Sequence, residues 1–333
     1  MSTKHGKHQT DPIDAKGGDT PPQGDGVHER GRPGGRPPSS AEWARTMARE
    51  AALEPGTIAP PAVVPAVPGT VLAWPGERFD LAAVDPNADG GLDKAEAKEA
   101  LGAEHARIRA LQEKLYAERR QSLLVVFQAI DTGGKDGTIR SVFEGVNPQG
   151  CRVWSFKVPS SEERDHDFLW RYHHKAPARG MIGVFNRSHY EDVLVVRVKN
   201  LDPEPVWRTR YGVINAFEQM LTLSGTTVLK FFLHISKEEQ KERLEARIAD
   251  PEKHWKFDAA DLVERRSWDA YQSAFADAIG LCSTPYAPWR VVPANRKWFR
   301  NLVIARTIAD TLEAMNPRFP EAAPGITGMT VPD

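Results

Sequence analysis

Cysteine is almost missing from this chain: 333 residues hold only Cys151 and Cys282, and neither lies at metal-ligand spacing from another cysteine. That excludes a disulfide-dense scaffold and a zinc site built on cysteine pairs. Both thiols are expected to be reduced and buried. Long apolar runs are missing too, so no stretch of the sequence suits a membrane-spanning helix. The N-terminal stretch is polar and lacks the apolar segment of a secretory signal, which makes a cytoplasmic protein the expectation. Charge of one sign is also missing. Lys and Arg total 44 against 45 Asp and Glu, a formal net charge of −1. With no global basic field, nucleic acid is not an expected partner, and any other polyanion must be met by a local basic patch.

What is present centres on one stretch, Ser122 to Arg140. It opens with the apolar run Leu123 to Phe127. It then turns through Asp131-Thr-Gly133-Gly134-Lys135-Asp136-Gly137-Thr138, after which the pattern is helical. A buried parallel strand, a glycine turn and a helix start, in that order, make an anion site. Backbone N–H groups from Thr132 to Gly137 can turn towards phosphate oxygens, and Lys135 supplies a point charge. The stretch resembles a P-loop with two departures: Ala129 replaces the first glycine, and Asp136 replaces the metal-binding Ser or Thr. A glycine-rich turn carrying a solvated lysine fits the same letters.

The chain around this stretch divides by composition. Residues 1–68 read as a disordered tail followed by a proline-rich linker, with five prolines between Pro55 and Pro68 and a short helix expected at Ala41 to Leu53. Residues 69–120 read as an N-terminal extension ending in a long amphipathic helix, Leu92 to Arg120. Within it, Asp85 to Glu96 matches the EF-hand loop pattern in full. The entering segment is short and broken by Pro75 and Gly76, and no second such loop exists to pair with it. An acidic turn before a helix explains the same residues, so calcium binding at intracellular concentrations is not expected. Residues 121–316 alternate strands and helices. Helices are expected at Thr138–Gly145, Glu162–Trp170, Trp207–Thr222, through Ile248, Leu262–Ile279 and Trp298–Met315. That alternation predicts an α/β fold, a three-layer α/β/α arrangement around a mainly parallel sheet. Residues 317–333 form a C-terminal tail.

Three further clusters carry candidate chemistry. Asn186-Arg187-Ser188 falls at a strand end, where open α/β sheets place their ligands. An amide at 186 brings no charge, so Asp131 and Glu191, with Asp136 nearby, are the candidate magnesium ligands. Lys157, Glu162 and Arg171 follow the second strand and can hold an acceptor nucleotide, though a plain helix cap fits too. Arg243 and Arg247 lie one turn apart, and Lys253 and Lys256 follow Pro251. That basic segment, residues 237–257, can cover transferring phosphates as a helical lid. Glu239 and Arg243 also make an ordinary i,i+4 pair.

Taken together, these blocks resemble the polyphosphate kinase 2 family. The stretches are Ile130–Ile139, Phe168–Arg171, Ile182–Asp192, Asp250–Phe257, Tyr286–Trp289 and Asn295–Trp298. The resemblance implies a P-loop kinase fold with a lid. It also implies Mg²⁺-dependent phosphoryl transfer between inorganic polyphosphate and nucleotides. It makes Asp131, Lys135, Arg187 and Arg247 the catalytic residues. It makes Gly133, Gly134, Asp136, Gly137, Thr138, Arg243, Lys253 and Lys256 phosphate ligands, and Lys157, Glu162, Arg171, Asn186 and Glu191 nucleotide ligands. Asn186 with Glu191 is similar to the subgroup that accepts both nucleoside mono- and diphosphates. A homo-oligomer, dimer or tetramer, is implied as well. An ATP-dependent nucleotide kinase on the same fold, or a non-catalytic polyanion- or calcium-binding protein, remains open at this point.

Overall fold

The computed structural model describes residues 64–74, 78–326 and 329–331. The expected N-terminal disorder and the helix at Ala41 to Leu53 therefore lie outside the described residues. The last part of the expected linker does not behave as one: Val67 is buried, and the Val64 carbonyl accepts a hydrogen bond from Arg290.

Six strands form one sheet in the order β1-β6-β5-β2-β4-β3. They are β1 (Val71–Leu72), β2 (Ser122–Gln128), β3 (Cys151–Ser155), β4 (Ile182–Asn186), β5 (Thr226–His234) and β6 (Trp289–Pro293). Five run parallel, and β1 adds antiparallel to β6. Every residue of β2 and β5 is buried, as a strand covered on both faces requires. Edge strand β3 instead leaves Val153 half exposed.

The helices are α1 (Lys94–Glu118), α2 (Lys135–Val142), α3 (Ser161–Asp165), α4 (Trp170–His173), α5 (Glu191–Val198) and α6 (Glu204–Leu223). They continue with α7 (Lys237–Ala249), α8 (Ala259–Arg266), α9 (Trp268–Leu281) and α10 (Lys297–Met315). Helix α10 packs on α1 and α2, while α5 packs on α6 and α9. No helix among the described residues is long and apolar enough to cross a membrane.

Three helix expectations change in the structure. The helix expected from Thr138 starts at Lys135, because Gly134 takes φ +95° and turns the chain directly into the helix. The helix expected over Glu162–Trp170 splits into α3 and α4. A full capping box between Ser160 and Glu163 starts α3, which ends at extended His166. The helix expected over Leu262–Ile279 breaks at Ser267 into α8 and α9. Leu262 and Val263 face solvent, whereas Trp268, Tyr271 and Phe275 are buried. The break lets two apolar patterns of different phase face different surroundings. The Ser236–Glu239 capping box is half made: Ser236 Oγ accepts from the Glu239 N–H, but the Glu239 carboxylate turns to Arg243.

Behind the strand ends lies a fully buried polar network. Lys230 Nζ on β5 donates to Glu218 Oε2 at 2.6 Å, to Tyr190 Oη at 2.8 Å and to the Cys282 carbonyl at 2.6 Å. Tyr190 donates to Glu218 Oε1, and His189 Nε2 lies 3.1 Å from the same oxygen. Burial works to raise the Glu218 carboxyl, but Lys230 and His189 outweigh it and hold it below the usual carboxylate range. Burial lowers His189, so its ring is neutral at physiological pH. This network ties α6 and β5 to the segment leaving β4.

The EF-hand-like loop is put to another use. Asp85 Oδ1 accepts from the Asn87 N–H, and Asp89 Oδ1 accepts from the Gly91 N–H. Asp89 Oδ2 pairs with Arg296, and Asn87 Oδ1 accepts from Asn295 Nδ2 at 2.9 Å. Asp93 caps α1 by accepting from the Ala95 and Glu96 N–H groups. Of the side chains that would point into a calcium site, Asn87 and Asp89 thus hold the β6–α10 connection and Asp93 the start of α1. Among the described residues no group of three or more acidic, His or Cys side chains is placed to hold a metal.

Two outcomes are expected. Glu218→Gln removes the negative charge opposite Lys230 and should cost about 3–5 kcal/mol in denaturant unfolding; adding Lys230→Met should recover part of that loss. Calorimetric titration with calcium should show no tight site, and Glu96→Gln should not alter the trace.

Candidate active site

The site forms where β2, β4 and β5 end side by side, with β3 next to β4. The register sets Phe127 opposite both Asn186 and Phe231, and Ser155 opposite Asn186. The chain passes from β4, on one side of β2, to β5 on the other. The crevice beyond these strand ends is thus the switch point where such sheets hold ligands.

From β2 the backbone enters the glycine turn. Thr132, at φ +62°, occupies the left-handed region without being glycine. Gly133 could not carry a side chain, since a Cβ there would sit 2.5 Å from that of Ala129 and 2.8 Å from the Ile130 carbonyl. Lys135, the first residue of α2, is buried, and its Nζ donates to the Ala129 carbonyl at 2.9 Å. Burial pushes its ammonium down to about 8. Arg187 adds to that effect, while Asp131, Glu191 and Asp136 oppose it.

Asp131 and Arg187 meet across the gap between β2 and β4 at 2.6 Å, and Glu191 lies 3.5 Å from the other arm of the guanidinium. Arg187 also has a left-handed backbone, φ +60°, and its N–H donates to the Phe127 carbonyl. Asn186 Nδ2 donates to Asp136 Oδ1 at 2.6 Å, which joins the end of β4 to the first turn of α2. The structure thus brings Asp131, Lys135, Asp136, Asn186, Arg187 and Glu191 together, with Gly133, Gly134 and Gly137 supplying the backbone. Hard oxygen donors from Asp131 and Glu191 suit Mg²⁺ when phosphate oxygens and water complete its shell, since this ion is commonly held by only one or two carboxylates.

Other expected residues are placed differently. Thr138 is fully buried, and its hydroxyl donates to the Gly134 carbonyl, so it is not presented to a phosphate. The reason is the early start of α2, which turns residue 138 inward. Arg171 is buried against Phe156 and Tyr172; it donates to the Lys157 carbonyl and pairs with Glu163 at 3.3 Å. It shapes the turn after β3, which leaves Lys157 and Glu162 exposed. Arg243 is anchored rather than swinging. It donates to Glu239, to the Thr132 carbonyl at 3.1 Å and to the Ala294 carbonyl at 2.6 Å. Arg247 reaches the Lys256 carbonyl and Asp261, while Lys253 pairs with Asp250 and Lys256 lies over the Trp255 ring.

Two neighbours were not among the expected site residues. Gln240 Nε2 donates to the Asp131 carbonyl at 2.9 Å, joining α7 to the glycine turn. Arg300 is buried with its guanidinium against Gly134. Lys297 and Arg300 at the start of α10, spaced i and i+3, were the available signal.

Residues 91–320 match the family described as polyphosphate kinase 2. The chain belongs to that family. It is 53% identical over 249 residues to the AMP/ADP-polyphosphate phosphotransferase of Meiothermus ruber, covering 74% of this chain and 93% of that one. It is 45% identical over 262 residues to the ADP-polyphosphate phosphotransferase of Rhodopseudomonas palustris, covering 75% and 91%. The crystal structure of polyphosphate kinase 2 from Arthrobacter aurescens TC1 superposes with a TM-score of 0.74 at 43% identity, over 79% of this chain and 97% of that one. The part that matches the polyphosphate kinase 2 family runs from the second half of the acidic loop through α10 and takes in every site residue named above.

The depressed Lys135 ammonium sets a pH dependence. Above about 8 the amine of the substrate-free protein becomes neutral and offers no charge to a phosphoryl group. Because kcat/KM reports the free enzyme, it should fall as pH rises through that value; a profile level to well above it would contradict the role. Lys135→Ala should lower turnover by about 100-fold or more, roughly 3 kcal/mol in the barrier, with circular dichroism unchanged.

Proposed function

We propose that this protein transfers the terminal phosphoryl group of inorganic polyphosphate to AMP or ADP. The carrying observation is the set of charges at the switch point: a buried Lys135 at the mouth of the glycine turn, facing an Asp131–Arg187–Glu191 row. The names of the relatives, which include both AMP and ADP as acceptors, support the same substrates.

Donor and acceptor are both strongly anionic, so bringing them in line is the main obstacle. An acceptor phosphate oxygen forms a bond to the terminal phosphorus while the anhydride oxygen leaves, carrying a polymer one phosphate shorter. Lys135 and the turn N–H groups neutralise the transferring group, and Arg187 meets charge on its other side. No protein nucleophile is needed. Mg²⁺, held by Asp131 and Glu191, would supply further charge neutralisation and phosphate alignment.

Helix α7 and the turn Pro251–Lys256 serve as the lid. Gln240 and Arg243 fasten its first turns to the carbonyls of Asp131 and Thr132. Beyond them Ile248 and Trp255 are exposed, so the half bearing Arg247, Lys253 and Lys256 has little apolar packing to hold it. Closure then moves Arg247 and the lysines about a pivot near Leu244.

The test is incubation with polyphosphate, Mg²⁺ and either AMP or ADP, with products resolved by chromatography. The expected products are ADP and ATP from AMP, and ATP from ADP. Transfer from ATP but none from polyphosphate would return the protein to the ATP-dependent kinase reading.

A further inference from the structure

Gly134 is also the neighbour of a second group of cations. A Cβ at this glycine would collide with the Arg300 guanidinium and lie 3.3 Å from that of Arg243. Arg300 is 2% exposed. Its Nε and Nη2 donate to the Asn301 side chain, while Nη1 has no hydrogen-bond partner among the described residues. A buried guanidinium without a carboxylate is costly. Burial and the neighbouring charge of Arg243 push it down to about 9. Lys297, one turn earlier and exposed, has no ion pair among the described residues, and Arg243, Arg300 and Lys253 all lie close enough to repel its charge. The nearby acid is Glu239, already bonded to Arg243 Nε at 2.6 Å. Lys297 also opens α10, a 19-residue helix whose start has no side-chain cap, so the N–H groups of its first turn are left without a side-chain acceptor.

We propose that Lys297, Arg300 and the uncapped first turn of α10 form a subsite for the phosphates of the polyphosphate chain behind the one transferred. The inference rests on the polyphosphate reading and extends it to a direction: the polymer leaves the glycine turn along the start of α10. The groups left without a partner there are all donors, namely guanidinium, ammonium and peptide N–H, while the adjacent Glu239 carboxylate is held by Arg243. Such a surface suits a repeating phosphate and has nothing with which to read a base. An anion there satisfies Arg300 Nη1 and relieves the repulsion among three cations together.

Lys297→Gln is the variant of choice, because the side chain is exposed and its loss leaves the fold intact; Arg300→Lys keeps the charge but loses the fork. Steady-state rates are measured with long-chain polyphosphate, with tripolyphosphate and with ADP as the varied substrate. Direct binding of long-chain polyphosphate is measured by calorimetry without nucleotide. In Lys297→Gln, KM and Kd for the long chain should rise about tenfold, the scale of one lost charge-assisted contact. KM for tripolyphosphate should rise as well, because its second and third phosphates lie beside Gly134 where Arg300 sits, and KM for ADP should stay within about twofold. Unchanged KM and Kd for the long chain, or an equal rise for ADP, would overturn the subsite. Wild-type protein that transfers nothing from polyphosphate would instead refute the functional reading, and the calorimetric comparison would still decide the subsite.

Discussion

The contact between Asp131 and Arg187 is the constraint from which the rest of the site follows. It bridges the ends of two strands that are already hydrogen-bonded neighbours, at 2.6 Å. Both partners are about one-third exposed, so as a source of stability it contributes about 0–1 kcal/mol. Its value lies in position. Arg187 holds a left-handed backbone where it makes this contact, and a conformation of that kind persists only where the surroundings over-determine it. They do so on both flanks. Asn186 is held by Asp136, Ser188 accepts from Gln128, and His189 and Tyr190 are locked to Glu218. The buried Lys230–Glu218 pair, where the large energies lie, is thus the foundation under a surface arginine.

A second consequence concerns the glycine turn. Its carbonyls need partners, and three of them find side chains. Ala129 is taken by Lys135, Asp131 by Gln240 and Thr132 by Arg243. Two of the three partners come from α7. Helix α7 and the glycine turn are therefore one hydrogen-bonded unit, and motion of either is felt by the other.

Much of this architecture was legible in the letters. The apolar run Leu123–Phe127 reads as a strand buried on both faces, and it is one. The charges at the strand ends were legible for a related reason: residues that close in sequence to a strand end have little choice of position. Asp131, Lys135, Asn186 and Arg187 are of this kind. What escaped was set by one backbone angle and by distant packing. Whether Thr138 faces a ligand depends on where α2 begins, and that is decided by the backbone of Gly134. Arg171 and Arg243 look like ligands by type, yet carbonyls brought in from elsewhere in the chain hold them as struts. The acidic loop carried every EF-hand letter, but its fate turned on Arg296 and Asn295, which approach from the far end of the chain.

The strand order carries a consequence for how the molecule comes into being. β2 lies between β4 and β5, and Ser122 pairs with Thr226. During synthesis β2 emerges long before β5 exists. Leu123 to Phe127 must then wait with one edge unpaired, a template for the wrong strand. Parallel partners so far apart in sequence close slowly. The glycine turn, being the end of β2, takes shape only when β5 arrives, so catalytic competence is among the last properties this chain acquires as it folds.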